Sequence, residues 1–503
     1  MNVLVLFASG LAFALAALRW LRVSQREHYI PWSAARFSGR WWSCRPENVV
    51  LVVAAAAGTV ACWFVPLAGF VTAAAVALGP LGLALRGRTS RLRWTPRLSR
   101  LAAATAALYV ASDVACILTG SVGYAVALTL FAPAVVDVAA LVLWPVERRV
   151  SEGFVRRARE RLAAVGPAVV AITGSYGKTT TKEHVRHIVS GARSVVASPA
   201  SFNNRLGLAR AINDHLTPGT EVFVAEMGTY GPGEITEMVN WIRPTVSVFT
   251  ALGPVHLERF GSLEAIASAK AEIVDGAASV AINADEPLIE RAVSRAAGAT
   301  HVIRCSLVDR AADVHVDAGN GSMAVTADGE LLAELDGELF PINVACAVGA
   351  ALALGLPKEV VARRLSSLPS PGHRRQVAQS ARGVTVIDDT YNANPAGAAA
   401  ALELLARTAR DGARRAVITP GMVELGTEQD GANREFAQRA ARLATDLVVV
   451  GRTNRRALLA GSDGGSARVR VVDHRDQAVA WVRRNLNSGD AVLYENDLPD
   501  HYP

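Results

Sequence analysis

The chain has 503 residues, 51% of them hydrophobic, and a net charge of +7. That length calls for about three domains, and the hydrophobic fraction exceeds what a soluble enzyme needs. Residues 1–150 hold 14 arginines and five acidic residues, so the basic excess sits at the front and the remainder is slightly acidic. Positive charge gathered on an apolar flank suits anionic lipid headgroups and argues against nucleic acid as a partner.

The front contains five apolar runs of spanning or near-spanning length, Val3–Leu18, Val49–Val65, Leu67–Leu85, Leu101–Leu118 and Val122–Leu143. They predict a bundle of five transmembrane helices in a multi-pass protein of the cell membrane. Arg19, Arg22, Arg26, Arg36, Arg40 and Arg45 fill the first loop, and Arg86, Arg88, Arg91, Arg93, Arg97 and Arg100 fill the third. The turns near Pro66 and across Thr119–Gly123 carry no charge, which puts the N-terminus outside and everything beyond Arg148 in the cytoplasm. The first run lacks a basic segment ahead of it and is followed by others, so it is expected to be retained rather than cleaved. Asp113 and Asp137 lie inside apolar runs, where they either mark a polar pocket for a lipid-linked substrate or have a structural role, pairing with neighbouring helices or lying near an interface. The five cysteines, odd in number and widely spaced, read as small apolar fillers in a reducing compartment.

From Arg148 a charged amphipathic connector leads into alternating strand and helix signals, an α/β pattern. Val169–Thr173, Val222–Glu226, Val246–Thr250 and Val280–Asn283 read as parallel strands, and residues 312–336 as a small antiparallel addition around Gly319-Asn-Gly321. After a break at Pro369–Gly372, Val384–Asp388, Ala416–Thr419, Leu447–Val450 and Ala491–Tyr494 read as strands of a separate Rossmann-like unit. The expected domains are thus 1–147, 148–367 and 368–503.

The first of these strands ends in Gly174-Ser175-Tyr-Gly177-Lys178-Thr179-Thr180 and opens onto a helix. Glycines let the backbone approach phosphate oxygens, Lys178 neutralises the β/γ-phosphates, Thr179 offers a hydroxyl to Mg²⁺, and the helix N-terminus favours an anion. The spacing is compressed, with Ile172 where the usual loop has its first glycine. Glu226 ends an apolar strand and His256 follows the next one, at the edge where open α/β sheets bind ligands. With Thr179 they form a candidate set for a divalent cation, although histidine is an unusual Mg²⁺ ligand.

Together with Ser201-Phe-Asn203-Asn204, Glu226-Met-Gly, His256-Leu-Glu-Arg-Phe-Gly-Ser262, Ala269-Lys270-Ala-Glu-Ile273, Asn283-Ala-Asp285, His373-Arg374 and Asp388-Asp389-Thr-Tyr391-Asn392-Ala-Asn394-Pro395, these residues fall in an order that resembles the Mur ligases. The nearest likeness is to the MurF branch, which adds D-alanyl-D-alanine to the muramyl tripeptide. The resemblance covers about residues 165–430. It implies a central ATP-binding P-loop domain and a C-terminal Rossmann-like domain. It also implies that ATP activates a carboxylate as an acyl phosphate, which an amine then attacks to give an amide. On that likeness the 174–180 loop, with Ser175 and Thr180, holds the nucleotide, and Lys178, Thr179 and Arg374 neutralise the migrating γ-phosphate. Asn283 corresponds to an adenine contact and Asp389 to a ribose contact. Glu226 and His256 correspond to Mg²⁺ ligands, with His256 in the catalytic set, and Lys270 to the lysine that the family carbamylates to hold a second Mg²⁺. Asn203, Asn204, Tyr391, Asn392 and Asn394 correspond to substrate-side positions, and closure of the C-terminal domain is implied to exclude water.

The likeness stops at the front, where apolar helices stand in place of a domain that grips a UDP-linked sugar. The Gly337–Val344 segment also lacks the histidine expected before Asn343, and Gly489–Asp500 lacks the family's lysine-glycine-serine motif. The expected activity is therefore membrane-bound amide ligation at the cytoplasmic face, on a peptidoglycan-type or lipid-linked carboxylate acceptor with an amino acid or dipeptide amine. Two alternatives stay open: a ligase of a specialised peptide pathway, and a transport or scaffold protein regulated by a nucleotide.

Overall fold

The computed structural model describes residues 2–87, 91–199, 202–319, 322–336, 339–369, 376–390, 394–410 and 412–503. These form two compact units. One joins Met1–Arg149 to Val377–Gly421 and Asn433–Pro503, and the other comprises Val150–Gln376 with Met422–Ala432.

The apolar front of the first unit folds into α1 (Asn2–Arg26), α2 (Ser33–Ser43), α3 (Pro46–Ala61), α4 (Gly69–Leu78), α5 (Pro96–Thr119), α6 (Gly123–Leu130) and α7 (Ala132–Val165), which continues as the charged connector. Among the described residues only α1 and α5 are each long and apolar enough to cross a membrane; α2 with α3, bent by 116°, and α6 with α7, bent by 87°, meet both conditions only as pairs. The five runs are therefore not five separate spanning helices. Gly79-Pro80 ends α4 after ten residues, because proline brings no N–H to the next turn, and Pro133 starts α7 as a new helix within the run 122–143.

Two buried polar side chains close helix ends here. The Arg19 guanidinium donates to the carbonyls of Val76, Ala77 and Gly79 at 3.2, 2.7 and 2.8 Å, satisfying the C-terminus of α4. Asp137 accepts from the N–H groups of Ala34 and Ala35 at 3.3 and 2.8 Å, capping α2, so of its two expected roles the structure supplies pairing with a neighbouring helix. Asp113 Oδ1 is buried with no hydrogen-bond partner among the described residues.

The second unit is a nine-stranded sheet with strand order β2-β3-β1-β4-β5-β6-β7-β8-β9. Its strands are β1 (Ala168–Thr173), β2 (Val195–Ala197), β3 (Val222–Glu226), β4 (Val246–Phe249), β5 (Ser279–Asn283), β6 (His301–Ser306), β7 (Val314–Gly319), β8 (Ser322–Ala327) and β9 (Glu330–Asp336). Strands β2 to β7 pair in parallel around β1, and β7, β8 and β9 form the expected antiparallel addition. Helices α8 (Lys178–Val189), α9 (Arg205–His215), α10 (Glu234–Ile242), α11 (Leu257–Phe260), α12 (Leu263–Ala271), α13 (Pro287–Ala296), α14 (Pro341–Ala353) and α15 (Lys358–Leu365) complete it. Two apolar cores form, one holding Val169, Ala171, Phe223 and Ala225 and the other Val170, Ile172, Val222 and Val224. Neighbouring residues of β1 and β3 thus enter opposite cores, as side chains alternate across a sheet buried on both faces.

Back in the first unit, β10 (Gln376–Gln379), β11 (Thr385–Asp389), β12 (Arg415–Thr419), β13 (Asp446–Val450), β14 (Arg468–Val472) and β15 (Ala491–Glu495) form a sheet ordered β10-β11-β15-β12-β13-β14. Its pairs from β11 to β14 are parallel, and α16 (Pro395–Thr408) follows β11. The last residues of the chain leave this sheet for the apolar helices. Asp500 pairs with Arg22 at 2.8 Å, the His501 carbonyl accepts from Trp41 Nε1 at 2.8 Å, and Tyr502 meets the Phe37 ring edge-on.

Candidate active site

Strand β1 lies between β3 and β4, and at its carboxyl end the chain turns through Gly174 (φ 152°) and Gly177 (φ 79°) into α8. Both glycines are required by space as well as by φ. A Cβ at Gly174 would sit 2.1 Å from Thr250 Oγ1, and one at Gly177 would sit 2.3 Å from Asn343 Oδ1. The loop is braced from β4: Thr250 Oγ1 donates to the Tyr176 carbonyl at 2.5 Å, Ser175 N to Ala251 O at 2.7 Å, and Ser175 Oγ to Gly253 O at 3.0 Å. Ile172, which displaces the usual first glycine, is a fully buried strand residue paired with Glu226 and Val248, so the turn begins two residues later. The loop therefore delivers backbone N–H groups and a helix N-terminus to one point, a cradle for an anion. Lys178 Nζ reaches back over it to the carbonyls of Gly174 and Ser175 at 2.7 and 3.4 Å.

In the first turn of α8, Thr179 Oγ1 donates to Glu226 Oε2 at 2.9 Å. Glu226 ends β3 almost wholly buried, and its other oxygen accepts from Asn203 Nδ2 at 3.3 Å. Lys182, absent from the sequence-derived set, also meets Oε2, at 3.2 Å, from a fully buried position. Its only signal in the sequence is its spacing: it follows Lys178 by four residues and Thr179 by three, on the same helix face.

Lys270, on α12, donates to the Gly174 carbonyl at 3.1 Å, so two lysines share one loop oxygen. Burial, and after it the charge of Lys178, hold the Lys270 amine well below the ordinary lysine value.

Among the described residues, His256 makes no hydrogen bond to Thr179, Glu226 or Lys270. Its Nδ1 hydrogen-bonds the Glu424 carboxylate, its ring meets Tyr230 edge-on at 4.8 Å, and Arg259 reaches the same carboxylate at 3.4 Å. Of the expected metal set, Thr179 and Glu226 are hydrogen-bonded to each other, Lys270 bonds to the loop at Gly174, and His256 bonds to Glu424. No group of three histidine, cysteine or acidic side chains converges among the described residues. Glu424, from far along the chain, supplies the imidazole with a carboxylate.

Several other expected residues hold local posts. Asn204 caps α9 by accepting from Gly207 N at 2.9 Å, and Asn283 Oδ1 accepts from Asp285 N at 3.1 Å in the turn after β5. In the first unit Asp389 ends β11 beside Glu495 of β15, and Asn394 caps α16 through Gly397 N at 2.8 Å. Arg374, Tyr391 and Asn392 lie outside the described residues.

Residues 172–351 match the Mur ligase middle domain, and residues 373–494 match the Mur ligase, glutamate ligase domain. The UDP-N-acetylmuramoyl-tripeptide–D-alanyl-D-alanine ligase of Mycobacterium tuberculosis (strain H37Rv) is 34% identical over 367 residues, covering 66% of this chain and 71% of that protein. The chain belongs to the Mur ligase family. A ligase of the same name from Bacillus subtilis is 26% identical over 353 residues, covering 67% of this chain and 75% of that protein. Among solved structures, MurF ligase from Thermotoga maritima in complex with ADP is 26% identical, with a TM-score of 0.59 over 69% of this chain and 80% of that one. MurF from Acinetobacter baumannii, 22% identical, shares the fold with a TM-score of 0.59 over 69% of this chain and 77% of that one. As a Mur ligase this chain is an enzyme of the acid–amino-acid ligase class, and its relatives are MurF-like. Both family matches begin beyond the apolar helices α1 to α6.

Proposed function

We propose that this Mur ligase is a membrane-bound, ATP- and Mg²⁺-dependent peptide ligase that joins an amino acid or dipeptide amine to a peptidoglycan-type or lipid-linked carboxylate. The observation that carries the reading is the pairing, in one chain, of an intact phosphate cradle around Lys178, Thr179 and Glu226 with an apolar helical region ahead of the family match. The arginine-rich loops favour an outside N-terminus and cytoplasmic catalytic domains.

The cradle suits a triphosphate: two space-restricted glycines, the N-terminus of α8, and a lysine whose Nζ reaches over the loop to its carbonyls. The Thr179 hydroxyl and the Glu226 carboxylate are hard oxygen donors of the kind Mg²⁺ takes, and when bound the ion would polarise phosphate oxygens. A carboxylate oxygen of the acceptor attacks the γ-phosphorus and ADP leaves; the amine nitrogen then attacks the acyl carbon and phosphate leaves, with loss of one proton. Lys178 would balance the charge passing through the transferred phosphoryl group, a task of positioning and electrostatics. In this proposal Arg374 shares that task, and Asn283 and Asp389 face the nucleoside.

Lys270 fits carbamylation for a physical reason. Its buried amine favours the neutral form, and only a neutral amine adds to CO₂, giving a carbamate with loss of a proton. An anion made there would lie beside Lys178 at the Gly174 carbonyl.

The test uses the full-length protein in detergent or reconstituted vesicles with ATP and Mg²⁺. Phosphate release should require both a carboxylate acceptor and an amine and should match amide formed by mass spectrometry. Parallel reactions with UDP-linked and lipid-linked muramyl peptides identify the acceptor. ATP hydrolysis that ignores both substrates and yields no amide would instead support a nucleotide-regulated transport or scaffold role.

A further inference from the structure

Lys182 stands on the core-facing side of α8, a position where an apolar residue is the ordinary choice. Val185, Ile188 and Val189 of the same helix are buried with it, and its side chain is 1% exposed. Its ammonium is 3.2 Å from Glu226 Oε2, and the Glu226 side chain is 3% exposed. A buried ion pair gains little or nothing over well-packed apolar residues of the same volume, because both ions have left water. Stability alone therefore does not account for a lysine here.

The two carboxylate oxygens of Glu226 are held differently. Oε2 accepts from Thr179 Oγ1 at 2.9 Å as well as from Lys182, so it carries one neutral and one charged donor. Oε1 accepts from Asn203 Nδ2 at 3.3 Å. Asn203 is fixed in turn, its carbonyl accepting from Gly228 N at 2.7 Å, and Ser198 Oγ accepts from Glu226 N at 3.1 Å. The carboxylate is thus pinned at both oxygens and at its backbone, with the charge-balancing contact on the oxygen that the Thr179 hydroxyl shares.

The charges at the cradle sum to a definite sign. Glu226 brings one negative charge, and Lys182 and Lys178 bring two positive ones. The N-terminus of α8 adds partial positive charge, and no group of three histidine, cysteine or acidic side chains gathers among the described residues. Before Lys270 is modified the site is therefore net positive. It attracts a polyanion and repels a bare cation, which would have to share a carboxylate that an ammonium already neutralises. A bound triphosphate reverses the sign, since its charge exceeds that of both lysines.

We propose that Lys182 is a positioning residue that holds the place of a divalent cation at Glu226, so that the site takes up the cation together with the triphosphate and not ahead of it. The proposal rests on the ATP- and Mg²⁺-dependent reading above and adds the order in which that site is filled. Lys182 acts through Glu226: its charge strengthens binding of a metal-free triphosphate and weakens binding of a metal ion alone. A lysine that only supports the fold would shift both affinities in the same direction, or neither.

The test is a pair of binding titrations on the full-length protein in detergent and CO₂-free buffer, which keeps Lys270 unmodified. One follows Mn²⁺ by electron paramagnetic resonance, and the other follows a fluorescent β,γ-imido analogue of ATP in the presence of a chelator. In the parent, Mn²⁺ should bind only when the analogue is present. Lys182→Gln keeps a hydrogen-bond donor and removes the charge. It should bind Mn²⁺ alone about tenfold more tightly than the parent, and the metal-free analogue about tenfold more weakly. Equal Mn²⁺ binding by the parent with and without the analogue overturns the proposal, as does a Lys182→Gln variant whose two affinities move together or stay put. Should Lys182→Gln fail to accumulate, Glu226→Gln decides. With the carboxylate gone, Lys182 should tighten binding of the metal-free analogue, and an unchanged or weaker affinity overturns the proposal. If the parent does not bind the analogue with or without Mn²⁺, the ATP-dependent reading itself falls.

Discussion

The Lys182 ammonium lies 3.2 Å from Glu226 Oε2, and both side chains are almost completely withdrawn from solvent. Lys182 thus balances, within the fold, the carboxylate that Thr179 also touches. Removing one member of such a pair leaves an uncompensated buried charge, at a cost of about 3–5 kcal/mol. Lys182→Met should therefore lower the unfolding free energy by about that amount, and adding Glu226→Gln should recover part of the loss. Denaturant unfolding of the two variants checks this.

Lys178 is part-buried and its Nζ donates to the carbonyls of Gly174 and Ser175 in its own loop. Lys178→Ala should reduce kcat by roughly 10²–10³-fold, the usual effect of deleting one preorganised donor to transition-state charge. Steady-state phosphate release, with unfolding measured in parallel, separates the catalytic loss from instability.

Lys270 links pH to stability. Its folded-state pKa is well below the ordinary value because of burial and then Lys178, whereas in the unfolded chain it returns to about 10.4. Between those two values the unfolded chain holds a proton that the folded chain has shed. The contribution of this group to stability therefore rises with pH through that window and is level above it. In CO₂-free buffer, Lys270→Met should be more stable than the parent at neutral pH, and the difference should shrink as pH approaches 10. Unfolding curves from neutral pH to 10 measure it, and added bicarbonate should restore activity only to the parent.

The tail is predicted to hold the first unit together. Deleting Asp500–Pro503 removes a carboxylate paired with Arg22, which is 1% exposed, strips the acceptor from Trp41 Nε1 and uncovers Phe37. A loss of about 3–5 kcal/mol is expected, as for other broken buried pairs. Faster cleavage between α1 and α2 in limited proteolysis of the detergent-solubilised protein would report it.

Much of this protein is settled by local sequence. Continuous apolar runs ending in Thr173, Glu226 and Asn283 become parallel strands because a sheet covered on both faces needs little else. Gly174 and Gly177 foretell the phosphate cradle because no side chain fits where their Cβ atoms would lie. The ordered motifs name the family for the same reason, since each is a short stretch doing its own chemistry. What the tertiary structure alone decides is which distant groups meet. Glu424 claims His256 across 168 residues, Lys182 turns inward to Glu226, Arg19 ends α4, and Asp500 returns to Arg22 across 478 residues. Composition likewise counts apolar residues but not the packing that folds 46–79 back on itself. Each of these pairings is the burial of a charge or of an unsatisfied backbone group, and the partner is chosen by proximity in space, which a linear pattern does not carry.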